Sequence, residues 1–72
     1  MRILILIEPS ETGFSAYAPD VPGCAATAAT REATELLMQE ALKLHFEALR
    51  DDGQPVPEVT SYATYVDVAV PA

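Results

Sequence analysis

The chain has 72 residues, half of them hydrophobic, so it can build one small domain and has no residues for a second core. Eleven Asp or Glu against four Lys or Arg give a formal net charge of −7, which repels a phosphate backbone and argues against direct nucleic-acid binding. One cysteine and one histidine cannot form a disulfide framework or a zinc site within one copy, which favours a cytoplasmic protein without a metal ion or cofactor.

The first predicted strand is the apolar run at residues 3–7, which is followed closely by Pro9. This run is too short to span a membrane, and no small-residue cleavage site follows it as in a signal peptide. Both of its faces are apolar, and one helix can cover only one of them. We therefore predict a homo-oligomer, a dimer or tetramer, whose interface includes Ile3, Ile5 and Ile7.

The second predicted strand is formed by residues 14–18, after a hairpin connection at residues 9–13. Gly13 is expected to take the positive φ that such a connection needs. In the strand, Phe14, Ala16 and Ala18 share one face, because successive side chains point to opposite faces.

The stretch "YAPDVPGC", residues 17–24, separates the second strand from a weakly patterned segment of small residues. Pro19 and Pro22 restrict the backbone, Asp20 can accept hydrogen bonds from nearby amides, and Gly23 permits the conformation that starts the next strand. We interpret the stretch chiefly as a rigid reversal, with direct partner binding as the alternative. The small residues that follow suit a short third strand.

A helix is predicted over residues 31–50. Thr30 is a suitable N-cap, and no Pro or Gly interrupts the chain until Gly53, which suits a left-handed C-cap. At helical spacing, one apolar stripe gathers the side chains that should cover the sheet. The stripe consists of Thr34, Leu37, Met38, Ala41, Leu42, His45, Ala48 and Leu49.

A last strand is predicted at residues 64–70, where valines alternate with other side chains. The element order is then β-β-β-α-β. It defines an α+β fold in which an antiparallel sheet carries one helix on one face.

Catalytic chemistry finds little support in the sequence. Glu8, Asp20 and Asp67 are the acids on strands or next to them, and their spacing matches no metal motif. A nucleophile and base pair of Cys24 and His45 is disfavoured, because the histidine lies within the apolar stripe of the helix. We predict no catalytic residue, and a metal-dependent nuclease is the minor alternative.

The sequence resembles the HicB-type antitoxins, in the short form of the family, over nearly its whole length. The resemblance is carried by "AYAPDVPGCAATAATREA" and "QEALKLHFEALRDDGQPVPE", and most specifically by P-D-V-P-G-C at 19–24, T-R-E at 30–32, E-A-L-K-L-H at 40–45 and D-G-Q-P-V-P-E at 52–58. It implies a partial ribonuclease-H-like fold. It also implies that the chain neutralises a HicA-like toxin, a small basic mRNA interferase with a double-stranded-RNA-binding-like fold and its own catalytic histidine, by covering the surface that meets mRNA.

Two departures from the family pattern affect what the resemblance implies. Ala33 stands where members commonly carry Glu, so only the Thr30 half of a capping box remains. Many members continue into a DNA-binding domain, whereas this sequence ends at Ala72. We expect one domain over residues 1–72 without a DNA-binding domain, and operator binding is not carried over.

The candidate toxin-binding residues are Tyr17 and Asp20 in the reversal and Asp51 and Asp52 at the end of the helix. Acids at a helix C-terminus are unfavourable unless another interaction repays them, which makes the last two good candidates for contact with a cationic partner. The alternative function is a stand-alone oligomeric domain, structural or small-ligand-binding, without a toxin. A neighbouring reading frame for a small basic protein would discriminate between the two.

Overall fold

In a computed structural model that describes all 72 residues, three short strands form a sheet and one long helix packs on it. The elements are β1 (Leu6–Ser10), β2 (Gly13–Tyr17), β3 (Ala25–Ala28) and α1 (Arg31–Asp51). Both strand pairs are antiparallel and the strand order is β1-β2-β3. The predicted α+β arrangement, with an antiparallel sheet and one helix, is confirmed.

The β1–β2 hairpin places Gly13 opposite Ser10 at the turn. Gly13 does not have a positive φ, so that part of the prediction was wrong. A Cβ atom at this position would meet the carbonyl oxygen of Ala28 and lie 2.9 Å from the Cα atom of Ala29. Glycine is therefore needed because the end of β3 approaches the hairpin closely, not because the turn is left-handed.

Strand β1 begins at Leu6, three residues later than predicted. Leu6 is paired with Tyr17, the last residue of β2, and the chain then turns into the proline-rich stretch. Residues 3–5 consequently have no neighbouring backbone in the sheet. A strand is defined by its pairing, so the apolar run alone does not extend it.

Helix α1 matches the predicted boundaries to within one residue. At its start, the Thr30 Oγ1 atom accepts a hydrogen bond of 3.1 Å from the backbone N–H of Ala33, as an N-cap should. At its end, Gly53 has a φ of 69°, and the Gln54 N–H donates to the Leu49 carbonyl at 2.8 Å. The helix lacks the apolar length that a membrane span requires.

The core lies between the sheet and one face of α1. Its buried residues are Ala16, Ala18, Val21, Cys24, Met38 and Leu42, with Thr34 buried beside them. The Thr34 hydroxyl donates to the Thr30 carbonyl oxygen at 2.7 Å, which satisfies the polar group. The predicted stripe is broader than the core: Leu37 is 49% exposed, because three short strands do not cover the whole helix.

No strand forms at residues 64–70, so the prediction of a fourth strand was wrong for the isolated chain. Residues 54–72 contain neither helix nor strand. The alternating pattern is present, but no backbone lies beside it to accept and donate hydrogen bonds. The ribonuclease-H-like assignment, which includes this strand, stays a prediction.

Candidate functional site

The loop that follows β2 is fixed by its own backbone and by burial. The Val21 N–H donates to the Ala18 carbonyl at 3.1 Å, and the Cys24 N–H donates to the Val21 carbonyl at 3.4 Å. Val21 is only 1% exposed, and Gly23 has a φ of 85°. The chain therefore reverses direction here as predicted, and direct partner binding by the loop stays a prediction.

Asp20 joins this loop to a distant segment of the chain. Its carboxylate accepts hydrogen bonds from both the backbone N–H and the hydroxyl group of Thr60 and of Ser61. The distances are 3.2 Å for Thr60 N, 3.1 Å for Thr60 Oγ1, 3.2 and 3.1 Å for Ser61 N to the two oxygens, and 2.8 Å for Ser61 Oγ. We name this set of interactions the Asp20 clamp. It fixes the chain that returns from the helix against the proline-rich loop.

The clamp also sets the charge of Asp20. Donation from the Ser61 backbone N–H, then from its hydroxyl, holds the pKa of Asp20 below its ordinary value; partial burial opposes this and Thr60 assists it. The carboxylate is thus ionised at neutral pH while both of its oxygens are occupied. Its negative charge is stabilised by hydrogen-bond donors of its own chain.

The sequence predicted that Asp20 accepts from amides, but it placed those amides nearby. Thr60 and Ser61 lie 40 and 41 residues away along the chain. Both residues have a backbone donor and a hydroxyl donor, yet nothing in the sequence pattern connects them with residue 20. They are the site residues that sequence reasoning missed.

Tyr17 lies at the end of β2 on the sheet face that the helix does not cover. The residues on either side of it along the chain, Ala16 and Ala18, are buried, and Tyr17 itself is 45% exposed. It is paired with Leu6 of β1, which is half-buried. These two side chains form an apolar corner on an open face whose next row is polar, with Glu8 opposite Ser15.

Ile3, Ile5 and Ile7 are half-buried and pack against the core on the helix side of the sheet. Leu4 and Leu6, which alternate with them, do not pack against this core. The chain therefore shields the isoleucines and the leucines alike only in part, the former against the core and Leu4 along the chain at residues 59–63. That a second copy covers Ile3, Ile5 and Ile7 stays a prediction.

Asp51 and Asp52 lie at the C-terminal end of α1, where Asp52 is the C-cap. The Arg50 Nε atom lies 3.5 Å from Asp51 Oδ1, and both side chains are exposed, so the pair contributes little stability. No hydrogen bond or ion pair joins either aspartate to Tyr17 or Asp20. The four predicted contact residues thus occupy two separate places, the loop region and the helix end.

The exposed charged side chains of α1 and its C-cap include more acids than bases, beside the exposed Leu36 and Leu44. Arg50–Asp51 is the single ion pair of the structure. The exposed acids are Glu32, Glu35, Glu40, Asp51 and Asp52, and the exposed bases are Arg31, Lys43 and Arg50. This surface is available to a cationic partner and unfavourable for a phosphate backbone.

The residues considered for catalysis do not assemble a reactive centre. No group of three or more His, Cys, Asp or Glu side chains could hold a metal ion. Cys24 is buried, and burial raises the pKa of its thiol, which favours the unreactive protonated form. The ring of half-buried His45 lies 6.1 Å from that of Phe46, centroid to centroid. These observations give neither residue the surroundings of a nucleophile or its base.

A groove of about 450 Å³ lies where the returning chain passes the N-terminal residues. It is open and mostly apolar, and the Asp20 clamp holds one of its walls through Ser61. The groove is lined by Arg2, Ile3, Leu4, Ile5, Val59, Ser61, Tyr62 and Ala63. Unpaired residues 3–5 thus lie beside the base of the unpaired C-terminal segment.

The sequence profile of the HicB-like antitoxins of bacterial toxin-antitoxin systems matches residues 3–69, nearly the whole chain. The match includes the proline-rich loop, the clamp residues and the acidic helix. This chain belongs to the HicB-like antitoxin family. The resemblance carried by the sequence motifs is therefore confirmed.

One curated relative is an uncharacterized 14.9 kDa protein in the rep-hol intergenic region of Haemophilus phage HP1 (strain HP1c1). The two sequences are 30% identical over 63 residues, which cover 88% of this chain and 47% of that protein. The chain thus spans about half the length of this relative. No solved structure matches the chain.

Proposed function

We propose that this chain is a non-catalytic antitoxin that binds a HicA-like mRNA interferase and covers its basic RNA-binding surface. Family membership supports an antitoxin role in a toxin-antitoxin system. The observation that carries the finer proposal is the exposed acidic surface of α1 in a chain of net charge −7. Such a surface offers carboxylates to the Lys and Arg side chains with which a ribonuclease holds phosphates.

The contact residues we propose are Tyr17, Asp51 and Asp52, with Asp20 in a supporting role. Tyr17 presents an exposed aromatic ring, the residue type that often anchors protein interfaces. The two helix-end aspartates are exposed, and only one has a cationic neighbour. Both carboxylate oxygens of Asp20 already accept hydrogen bonds from Thr60 and Ser61. We therefore propose that Asp20 acts indirectly, by fixing the loop that the toxin contacts.

We propose further that the protein acts in the cytoplasm as a homo-oligomer. Ile3, Ile5 and Ile7 are only half-buried by their own chain, and a second copy would complete their cover. Cofactors, metal ions, direct nucleic-acid contact and membrane association have no place in this proposal.

The test is co-expression with the small basic protein encoded beside this chain, followed by growth rescue and co-purification. We expect Asp51→Asn with Asp52→Asn to weaken toxin binding about tenfold at low salt and to reduce its salt dependence. Glu8→Gln with Glu11→Gln, which removes the same charge from exposed positions of the β1–β2 hairpin, is the matched control and should leave binding unchanged. Absence of rescue and co-purification by the unaltered chain would overturn the proposal.

A stand-alone ligand-binding domain is the second candidate, and the groove between residues 2–5 and 59–63 favours it. Its volume of about 450 Å³ falls within the range of small-molecule pockets, and most of its lining is apolar. A ligand found in this groove, together with no toxin encoded nearby, would support this candidate over the antitoxin.

A further inference from the structure

The C-terminal arm, residues 62–72, is the most exposed apolar segment of the molecule. Its side chains alternate as in a strand, with Val66, Val68 and Val70 on one side and Tyr65 and Asp67 on the other. The exposed fractions are 85% for Tyr62, 100% for Tyr65, 77% for Val66, 75% for Val68 and 88% for Val70. A solvated linker has a polar composition, whereas this arm is rich in β-branched and aromatic residues.

A matching vacancy exists at the edge of the sheet. Strand β1 is an outer strand, so one side of its backbone is unpaired, and residues 3–5 pair with no strand at all. Pro9 closes the far end of this edge, since it has no N–H to donate. The free backbone therefore runs from residue 2 to the middle of β1, a length comparable to that of the alternating segment at residues 64–70.

The charges of the two segments are complementary. Residues 1–7 contain one charged side chain, the exposed Arg2, and the arm contains one, the exposed Asp67. Both segments are otherwise apolar or uncharged. Pairing them would bring together opposite charges in a chain whose remaining surface is mainly negative.

The Asp20 clamp fixes the point from which the arm departs. Thr60 and Ser61 are held by the carboxylate, and residues 59–63 already border residues 2–5 across the groove. Beyond this point the arm leaves its own chain, and Tyr65 is fully exposed. Residues 62–70, when extended, reach about 30 Å, which is enough to cross to a neighbouring molecule.

We propose that two copies exchange their C-terminal arms, each adding residues 64–70 as a strand to the free edge at residues 2–7 of the other. The exchange is reciprocal, so the same two segments form both halves of a closed twofold assembly. Each arm supplies the backbone partner that its receiving edge lacks, and its valines extend one of the two apolar faces of residues 3–7. The inference develops the proposed homo-oligomer and does not depend on the toxin.

Hydrogen exchange on the full chain distinguishes pairing between copies from pairing within one copy. We expect slow exchange of the amides of residues 64–70 at high protein concentration and fast exchange on dilution below the dimer dissociation constant. Protection that is independent of concentration would show that the arm closes on its own chain, and would overturn the proposal. Absence of protection at all concentrations would overturn it too.

Sedimentation of variants identifies the segment responsible. Val68→Pro removes a ladder donor from the arm and is expected to weaken dimerisation at least about tenfold. The helix signal in circular dichroism should not change, since Val68 lies outside the core. Val56→Ser, an apolar change in the connection before the arm, is the matched control and should leave the dimer intact. A dimer that persists in Val68→Pro would overturn the proposal.

Toxin binding and growth rescue are measured separately on the same variants. If Val68→Pro leaves the oligomer intact and abolishes co-purification, the arm is a toxin contact and the exchange is wrong. Suppose instead that Val68→Pro loses the dimer and that the unaltered chain neither co-purifies with a toxin nor rescues growth. The exchange then stands and the antitoxin proposal fails.

Discussion

Two segments of this chain that contain proline, the loop at residues 18–24 and the C-terminal arm, differ sharply in burial. The loop buries Val21 and Cys24 and carries the Asp20 clamp, whereas the arm exposes nearly every side chain. Yet the arm has the stronger strand pattern. The difference shows that an alternating sequence selects which side chains share a face, while order requires a second backbone or a buried anchor.

The largest loss of unfolding free energy should come from truncating a side chain in the core between the sheet and α1. Met38 is completely buried, so Met38→Ala is expected to cost about 2–5 kcal/mol of unfolding free energy through lost burial and the cavity left behind. Val68→Ala, in the arm, should change the unfolding free energy of the monomer by less than about 0.5 kcal/mol. Urea denaturation at a protein concentration below that of dimerisation measures both. Equal effects would remove the distinction between the two regions.

A glycine substitution tests the close approach of the hairpin to the end of β3. Gly13→Ala would place a Cβ atom against the backbone of Ala28 and Ala29, and we expect a loss of about 1–3 kcal/mol. Gly53→Ala is the comparison: its φ is 69° but open space surrounds it, so we expect a loss of about 1 kcal/mol from backbone strain alone. A smaller loss at Gly13 than at Gly53 would contradict the steric explanation.

Breaking the Asp20 clamp should leave residues 58–62 as exposed and as loosely held as the C-terminal arm. In Asp20→Asn, one side-chain oxygen is replaced by an amide donor, so Thr60 and Ser61 lose part of their acceptor set. We expect faster amide exchange and faster proteolysis at residues 58–62, with α1 retained. The fall in stability should be smaller than that caused by Gly13→Ala. Unchanged exchange at Ser61 would show that the clamp does not hold this segment.

The same clamp gives a pH dependence of known sign. The pKa of Asp20 in the folded chain is below its ordinary unfolded value, so the folded state binds this proton less readily. The stabilisation is present in full above the unfolded pKa, about 4, and is lost as the pH falls through the folded pKa. Thermal unfolding from pH 6 downward should therefore show the unaltered chain converging on Asp20→Asn. Divergence at low pH would contradict this assignment.

Sequence reasoning predicted the elements whose determinants are local. The Thr30 cap, the Gly53 terminus and the alternation around Ala16 each lie within a few residues of the structure they specify. It did not predict the Asp20 clamp, because a carboxylate and two hydroxyl residues 40 positions apart leave no periodic signal. The fourth strand failed for a related reason: its alternating pattern is present, but in the structure no backbone lies beside it to pair with.

The smallest expected effect concerns the half of the capping box that this chain lacks. The Thr30 Oγ1 atom accepts a hydrogen bond of 3.1 Å from the Ala33 N–H. The methyl side chain of Ala33 cannot accept one from the Thr30 N–H in return. Ala33→Glu should add a hydrogen bond from the Thr30 N–H to the Glu carboxylate and place a negative charge in the first turn. Together these should stabilise the folded chain by about 0.5 kcal/mol. Thr30→Ala should cost about 1 kcal/mol, and in that background the gain from Ala33→Glu should shrink to its charge contribution. Urea denaturation of this double-mutant cycle checks the coupling, and strictly additive effects would show that no reciprocal bond forms. The N-terminus of the helix begins beside the end of β3, far along the chain from the arm, so none of these variants should alter dimerisation.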